Sequence, residues 1–334
     1  MGSINKREKE KEKREKGERL KKKSPFFLFF RFPFLSLFFL LYFLISLLSC
    51  VSLSPVDGRV ERAALAELPE AVQPQWQPVP GFTDAIGYFA GKVSSPRIEF
   101  NALRVDLANP ALRILAMGGI PVDDGTFLST RVSTFVRMNG LLAGINALPF
   151  EPVTGREREP RTNIGIVVSN GVMVAPPHHR FDALVFYADG SAAIESQAEM
   201  QSGDPMGASI DNAVGGFHRI LQDNELVPRV LNQKARHPRS AAGISSDGRF
   251  LYLLVIDGRR PGSIGTTEAE TALVLRALGA FHGINFDGGG STSLALRYSN
   301  GKVRPVNTPI HRQILGYERA VAGCLGIGLA DINF

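Results

Sequence analysis

Leu251-Tyr252-Leu253-Leu254-Val255-Ile256-Asp257-Gly258 and, further on, Ile284-Asn285-Phe286-Asp287-Gly288-Gly289-Gly290-Ser291-Thr292 bracket the stretch that decides the fold. An unbroken apolar run that ends in Asp-Gly reads as a strand closing in a turn. Beyond it, Thr267-x-x-Glu270 has the spacing of a capping box. Thr271, Val274, Leu275 and Leu278 then recur at helical spacing, and Gly279 supplies a stop. Ala280–Asp287 is a second apolar strand. Strand, helix and strand within ~35 residues are the form of a parallel βαβ unit, at about 251–287. Parallel strands emerge at one edge of a sheet, so Asp257 and Asp287 are expected to face one crevice. An antiparallel arrangement would separate them by a strand length.

Outward from this unit, strand-like segments dominate: Arg97–Leu107, Ala111–Met117, Ile164–Val168, Ala183–Tyr187 and Ala241–Ile244. Asn170-Gly171, Asp189-Gly190 and Asp247-Gly248 each sit between apolar runs, as hairpin turns do. A second helix is expected from about Thr130 to Met138, leading into the strand Leu141–Asn146. The two helix–strand units echo each other: Arg137-x-x-Gly140-x-x-x-Gly144-Ile145-Asn146 has the spacing of Arg276-x-x-Gly279-x-x-x-Gly283-Ile284-Asn285. The fold class is therefore α+β, a mixed β-sheet core with a few helices.

The two ends of the chain behave differently. Residues 1–31 hold 12 of the 38 Lys/Arg and 5 of the 32 Asp/Glu, so the remainder carries 26 basic against 27 acidic residues. A near-neutral body has no electrostatic footprint for nucleic acid. Residues 1–50 read as a charged leader followed by an apolar segment whose clean part, Phe34–Leu48, has the length of a signal-peptide core. Its basic flank would stay cytoplasmic, which predicts an extracytoplasmic body, exported or membrane-anchored. Leu47-Leu48-Ser49-Cys50 resembles a lipobox, leaving lipidation at Cys50, an uncleaved anchor and ordinary cleavage as the alternatives. Residues 51–80, with five prolines, read as a linker or wrapping arm, and the domain is expected over 81–334. Cys324, amid small apolar neighbours, reads as a buried core thiol, and no Cys/His cluster has zinc-ligand spacing.

Chemistry concentrates after the second strand. Gly288-Gly289-Gly290 permits positive φ and close approach to the main chain, and with the Ser291 and Thr292 hydroxyls forms a candidate nest for phosphate or sugar oxygens. Asp287 and Asp257 are candidates to position water, accept its proton or bind calcium or magnesium, against a plainer role capping loop backbone. Glu270 stands between a site carboxylate and a capping residue. Asn146 could bond a substrate oxygen or close a turn, and His237, just before Pro238, could donate a proton or stand by. His178-His179 reads as an exposed loop.

His237-Pro238-Arg239-Ser240-Ala241-Ala242-Gly243, Val255-Ile256-Asp257-Gly258-Arg259, Thr267-x-x-Glu270 and Asn285-Phe286-Asp287-Gly288-Gly289-Gly290-Ser291-Thr292 occur in an order and spacing that resemble the phosphodiester glycosidase family. Arg104-Val105-Asp106-Leu107, Gly144-Ile145-Asn146, Val214-Gly215-Gly216 and Glu318-Arg319-Ala320-Val321 extend the likeness to about 97–329. The resemblance implies a hydrolase acting on a carbohydrate phosphodiester, with exopolysaccharide-related relatives in bacteria. By the same token Arg239 would contact phosphate in bidentate fashion. Two other readings share the scaffold: a non-catalytic polysaccharide-binding envelope protein, and a metal-dependent phosphodiesterase. One departure stands out: Ala147-Leu148-Pro149 replaces the glycines that the family pattern places after Asn146.

Overall fold

The computed structural model describes residues 68–79, 85–123, 125–153, 156–201 and 209–330. The leader, Cys50 and residues 51–67 lie outside the described residues.

The largest sheet carries the site. Its strands run in the order Gln77–Pro78, Ile86–Ser94, Arg97–Asp106, Phe250–Ile256, Arg239–Ile244, His282–Asn285, His218–Gln222, Glu225–Leu226. Along Phe250–Ile256, Leu251, Leu253 and Val255 face the central core, while Tyr252, Leu254 and Ile256 face the helix Glu268–Leu278. That two-sided burial is why the sequence there is apolar without alternation. Two five-stranded sheets close the central core from the other side: Val172–Ala175 to Ala192–Ser196, and Val303–Pro305 to Leu112–Met117. A four-stranded sheet of short strands completes the set.

The strands Phe250–Ile256 and His282–Asn285 do not pair with each other. Arg239–Ile244 lies between them and is antiparallel to both. The expected adjacent parallel pair is thus corrected, although two strands antiparallel to one partner still point the same way. Opposite Arg239 lies Ile256, and opposite Ala241 lies Asn285. Asp257 and Asp287 therefore leave the same sheet edge, one on either side of Pro238-Arg239. A third strand could intervene because Asp247-Gly248 ties Arg239–Ile244 to Phe250–Ile256 as a hairpin, with Gly248 at φ 71°.

The Glu268–Leu278 helix begins as its sequence dictates. Thr267 Oγ1 accepts from the Glu270 N–H at 3.2 Å, and a Glu270 carboxylate oxygen accepts from the Thr267 N–H at 2.9 Å. Gly279, at φ 112°, ends it. The helix Val132–Met138 has no side-chain cap at Arg131, yet it meets its strand in the same way. A Cβ on Gly144 would meet Val136 at 2.7 Å, and one on Gly283 would meet Leu275 at 3.0 Å, the same step back along each chain. The echoed glycines are places where each helix lies directly on its strand.

Part of the Pro-rich segment belongs to the domain. Leu68, Val72 and Val79 are buried, Trp76 packs near Tyr252 with ring centroids 6.1 Å apart, and Gln77–Pro78 adds an edge strand. Residues 68–79 thus act as a wrapping arm rather than a free linker. Cys324 is buried, and desolvation raises its thiol well above the usual range, so it is an inert core residue.

Candidate active site

The glycine run does more than bend the chain. Gly289 holds φ 62°, a left-handed conformation that glycine adopts without strain. A Cβ on Gly288 would stand 2.7 Å from the Pro238 carbonyl oxygen, and one on Gly290 only 2.5 Å from Arg319 Nη2. On Gly289 it would meet Arg259 Nη2 at 3.0 Å. Bare backbone here admits two guanidinium groups from distant parts of the chain, on one side Arg259 and on the other Arg319.

Arg319 ties the arrangement together. Its Nη1 donates to Ser291 Oγ at 3.1 Å, and Ser291 in turn hydrogen-bonds the Asp287 carboxylate. Asp287 keeps partial solvent access, yet burial pushes its pKa up to about 6. Ser291, the Arg319 charge and the Gly288 N–H pull the other way without cancelling desolvation. Exposed Arg259 reaches His237, with Nη2 3.5 Å from Nδ1. Desolvation and the charges of Arg239 and Arg259 lower the His237 pKa, so at neutral pH it is uncharged. An acidic group beside two cations, with hydroxyl and main-chain donors, suits a bound anion. It suits a metal cation poorly, and among the described residues no group of three His, Cys, Asp or Glu is placed to hold one.

The other residues singled out in the sequence divide sharply. Asp257 is 3% exposed and fully engaged: it accepts from Asn307 Nδ2 at 3.2 Å, the Thr308 N–H at 3.0 Å and Arg260 Nη2 at 2.7 Å. Its carboxylate anchors the Asn307–Thr308 loop and is not turned to a ligand. Arg239 is 9% exposed, and it donates from Nε to the Thr266 carbonyl at 3.1 Å and from Nη2 to the Ala235 carbonyl at 3.2 Å. With Glu268 beside Nη1 at 3.6 Å, the guanidinium braces the helix start rather than joining Arg319 and Arg259. Glu270 completes the capping box and pairs with Arg236, which gives it a structural role.

Asn146 is buried and acts as a brace. Its Nδ2 donates to the Asp287 carbonyl at 2.6 Å, while Oδ1 accepts from Ser240 Oγ at 2.7 Å and the Ser293 N–H at 3.0 Å. The Asp287 N–H donates to the Ala147 carbonyl at 2.7 Å, so residues 146 and 147 together fix the Asp287 main chain. Lost glycines after Asn146 are compensated elsewhere: the Leu148 side chain lies over Gly323 and Gly215, where a Cβ would meet it at 2.4 and 3.1 Å. Thr292 is buried and its Oγ1 has no protein partner among the described residues. His178 stacks on both His179 and Phe181, away from any metal-ligating group among the described residues.

Sequence reasoning did not single out Arg259 and Arg319 as candidate site groups. Both stood inside quoted segments, after Asp257-Gly258 and in Glu318-Arg319-Ala320-Val321. Only the tertiary fold brings the second onto Gly290.

Comparison with known proteins gives the fold and the family. Three solved structures share the fold. A hypothetical protein from Synechocystis is 16% identical with a TM-score of 0.53, over 77% of this chain and 64% of that one. The zebrafish N-acetylglucosamine-1-phosphodiester alpha-N-acetylglucosaminidase catalytic domain, auto-inhibited by its pro-peptide, is 17% identical with a TM-score of 0.55, over 76% and 87%. A Burkholderia pseudomallei K96243 protein named for export is 18% identical with a TM-score of 0.51, over 69% and 74%. The chain thus spans about two thirds of the Synechocystis protein's length. No curated protein matches it in sequence. The phosphodiester glycosidase family model matches residues 139–328, more than half of the chain and all of the Asp287 site. The chain belongs to the phosphodiester glycosidase family.

Proposed function

We propose that the protein hydrolyses a glycosyl phosphodiester at the bond between the sugar C1 and the phosphate oxygen. The observation that carries this reading is the Arg319–Ser291–Asp287 chain, an anion site directly joined to a carboxylate of raised pKa. In the reaction, water attacks C1, and the C1–O bond breaks with its electron pair passing to phosphate. Asp287, ionised, takes the proton of the attacking water. Arg319, Arg259 and the Ser291 hydroxyl meet the charge that develops on the leaving phosphate. Free sugar and a phosphomonoester result.

Ordinary glycosidases use a pair of carboxyl groups, one of them to protonate the leaving oxygen. Of Asp287, Asp257 and Glu270, only Asp287 keeps solvent access without being committed to an ion pair. A phosphate departs as a stable anion, so one carboxylate suffices. The name of the zebrafish structure supports the same substrate class. We further infer work outside the cytoplasm, supported by the basic leader with its apolar run and by the name of the Burkholderia structure.

Incubation of the full chain with a sugar-1-phosphodiester, followed by product identification, tests this reading. Reducing sugar is expected. Sugar 1-phosphate would point to a phosphodiesterase, and unchanged substrate to a binding protein.

A further inference from the structure

A loop from Pro309 to Tyr317 packs against the glycine turn, its short 3-10 helix His311–Gln313 meeting Gly289–Ser291. Within it His311 is 4% exposed and stacks on Tyr317, centroids 5.4 Å apart at 28°. Main-chain bonding fixes the pair, since the His311 N–H donates to the Tyr317 carbonyl at 3.0 Å. Arg319 Nε donates to His311 Nδ1 at 3.0 Å. A ring nitrogen that accepts has no proton, so the His311 proton lies on Nε2. That Nε2 is buried with no protein partner among the described residues. An imidazole kept in place with one nitrogen unpaired is explained by the work of the other.

We propose that His311 is a positioning residue for the Asp287 site, its Nδ1 orienting the Arg319 guanidinium toward Ser291; this rests on the function proposed above. A guanidinium beside Gly290 has several rotamers open to it. Anchoring Nε from the loop side leaves Nη1 aimed at Ser291 Oγ and thus at the acid. Neutral imidazole is required, because a protonated ring would offer a donor to a donor. Burial and the Arg319 and Arg312 charges push the His311 pKa down to about 4, which keeps the ring neutral at physiological pH. Stacking on Tyr317 holds the plane of the ring.

Two variants separate orientation from packing. His311→Phe keeps an aromatic ring for Tyr317 and removes the acceptor, whereas His311→Asn keeps an acceptor near the Nδ1 position. We expect His311→Phe to lower kcat at least tenfold while KM changes less than threefold, and His311→Asn to recover most of that loss. Inorganic phosphate binding, followed by calorimetry on the same proteins, is expected to weaken about tenfold in His311→Phe only. This second arm reports on Arg319 even if the wild-type chain has no glycosidase activity, so failure of the functional reading is told apart from failure of this one. Equal phosphate affinity in wild type and His311→Phe, or equal losses in both variants, would overturn the assignment. Should His311→Phe not fold, nitrogen NMR of the wild-type protein decides: Nε2-protonated His311 is expected, and an Nδ1-protonated ring excludes the role.

Discussion

Replacing Asp287 with Asn should abolish turnover and, at neutral pH, make the protein more stable. Desolvation holds the carboxyl near pH 6 instead of the ordinary 3.8. A carboxyl with a raised folded-state pKa is favoured in its protonated form by the fold. Its contribution is present in full below 3.8 and is lost as pH climbs through about 6. At about 1.36 kcal/mol per pH unit, the ionised side chain costs the folded state on the order of 3 kcal/mol above that range. Asn mimics the protonated acid at every pH, though it accepts less well from Ser291 and the Gly288 N–H, so a gain of about 1–3 kcal/mol is expected at pH 7.5. For a domain of this size that is a rise in Tm of roughly 3–10 °C. At pH 4 the two proteins should melt together within about 1 kcal/mol. Urea titrations at both pH values measure the difference. A variant equally destabilised at pH 4 and 7.5 would refute the idea that Asp287 is held ionised against the preference of its surroundings.

Four other predictions follow from the same geometry. Between pH 5 and 7, kcat/KM should rise with an apparent pKa near 6, because His311 is already neutral and Asp287 must lose its proton to act; a rate that falls over this range would make Asp287 the proton donor instead. Arg319→Met should lower kcat/KM by about 10²-fold or more and move that rise to higher pH, since the cation now favouring ionised Asp287 is gone. Gly290→Ala, whose Cβ would crowd Arg319 Nη2, should cut activity about tenfold with stability changed by less than about 1 kcal/mol, as assayed by kinetics beside thermal melts. By contrast Asp257→Ala should destabilise by about 3 kcal/mol, read by urea unfolding, because it strands Arg260, Asn307 and the Thr308 N–H.

Much of the fold was legible because its signals are local. Asn170-Gly171, Asp189-Gly190 and Asp247-Gly248 all join antiparallel neighbours, and Thr267, Glu270 and Gly279 bound their helix as their chemistry requires. Which strand lies beside which is a long-range matter. Periodicity alone could not show Arg239–Ile244 between Phe250–Ile256 and His282–Asn285. Asp287 and the glycines were legible as a candidate site, since a bare backbone after an acid has few structural uses. Asp257 was indistinguishable from it in sequence: both are Asp-Gly after an apolar strand. Their difference lies in partners brought from afar, Asn307 and Thr308 for one, Arg319 for the other. The same long-range chemistry puts Arg319, and not Arg239, beside the glycine turn.

Where the substrate is cut can be read directly from isotope. Hydrolysis of a sugar-1-phosphodiester by the full chain in water enriched in oxygen-18, with both products analysed by mass spectrometry, follows the attacking oxygen to its destination. Attack at C1 next to Asp287 places the label on the released sugar and none on the phosphomonoester; label found on phosphate would contradict the account.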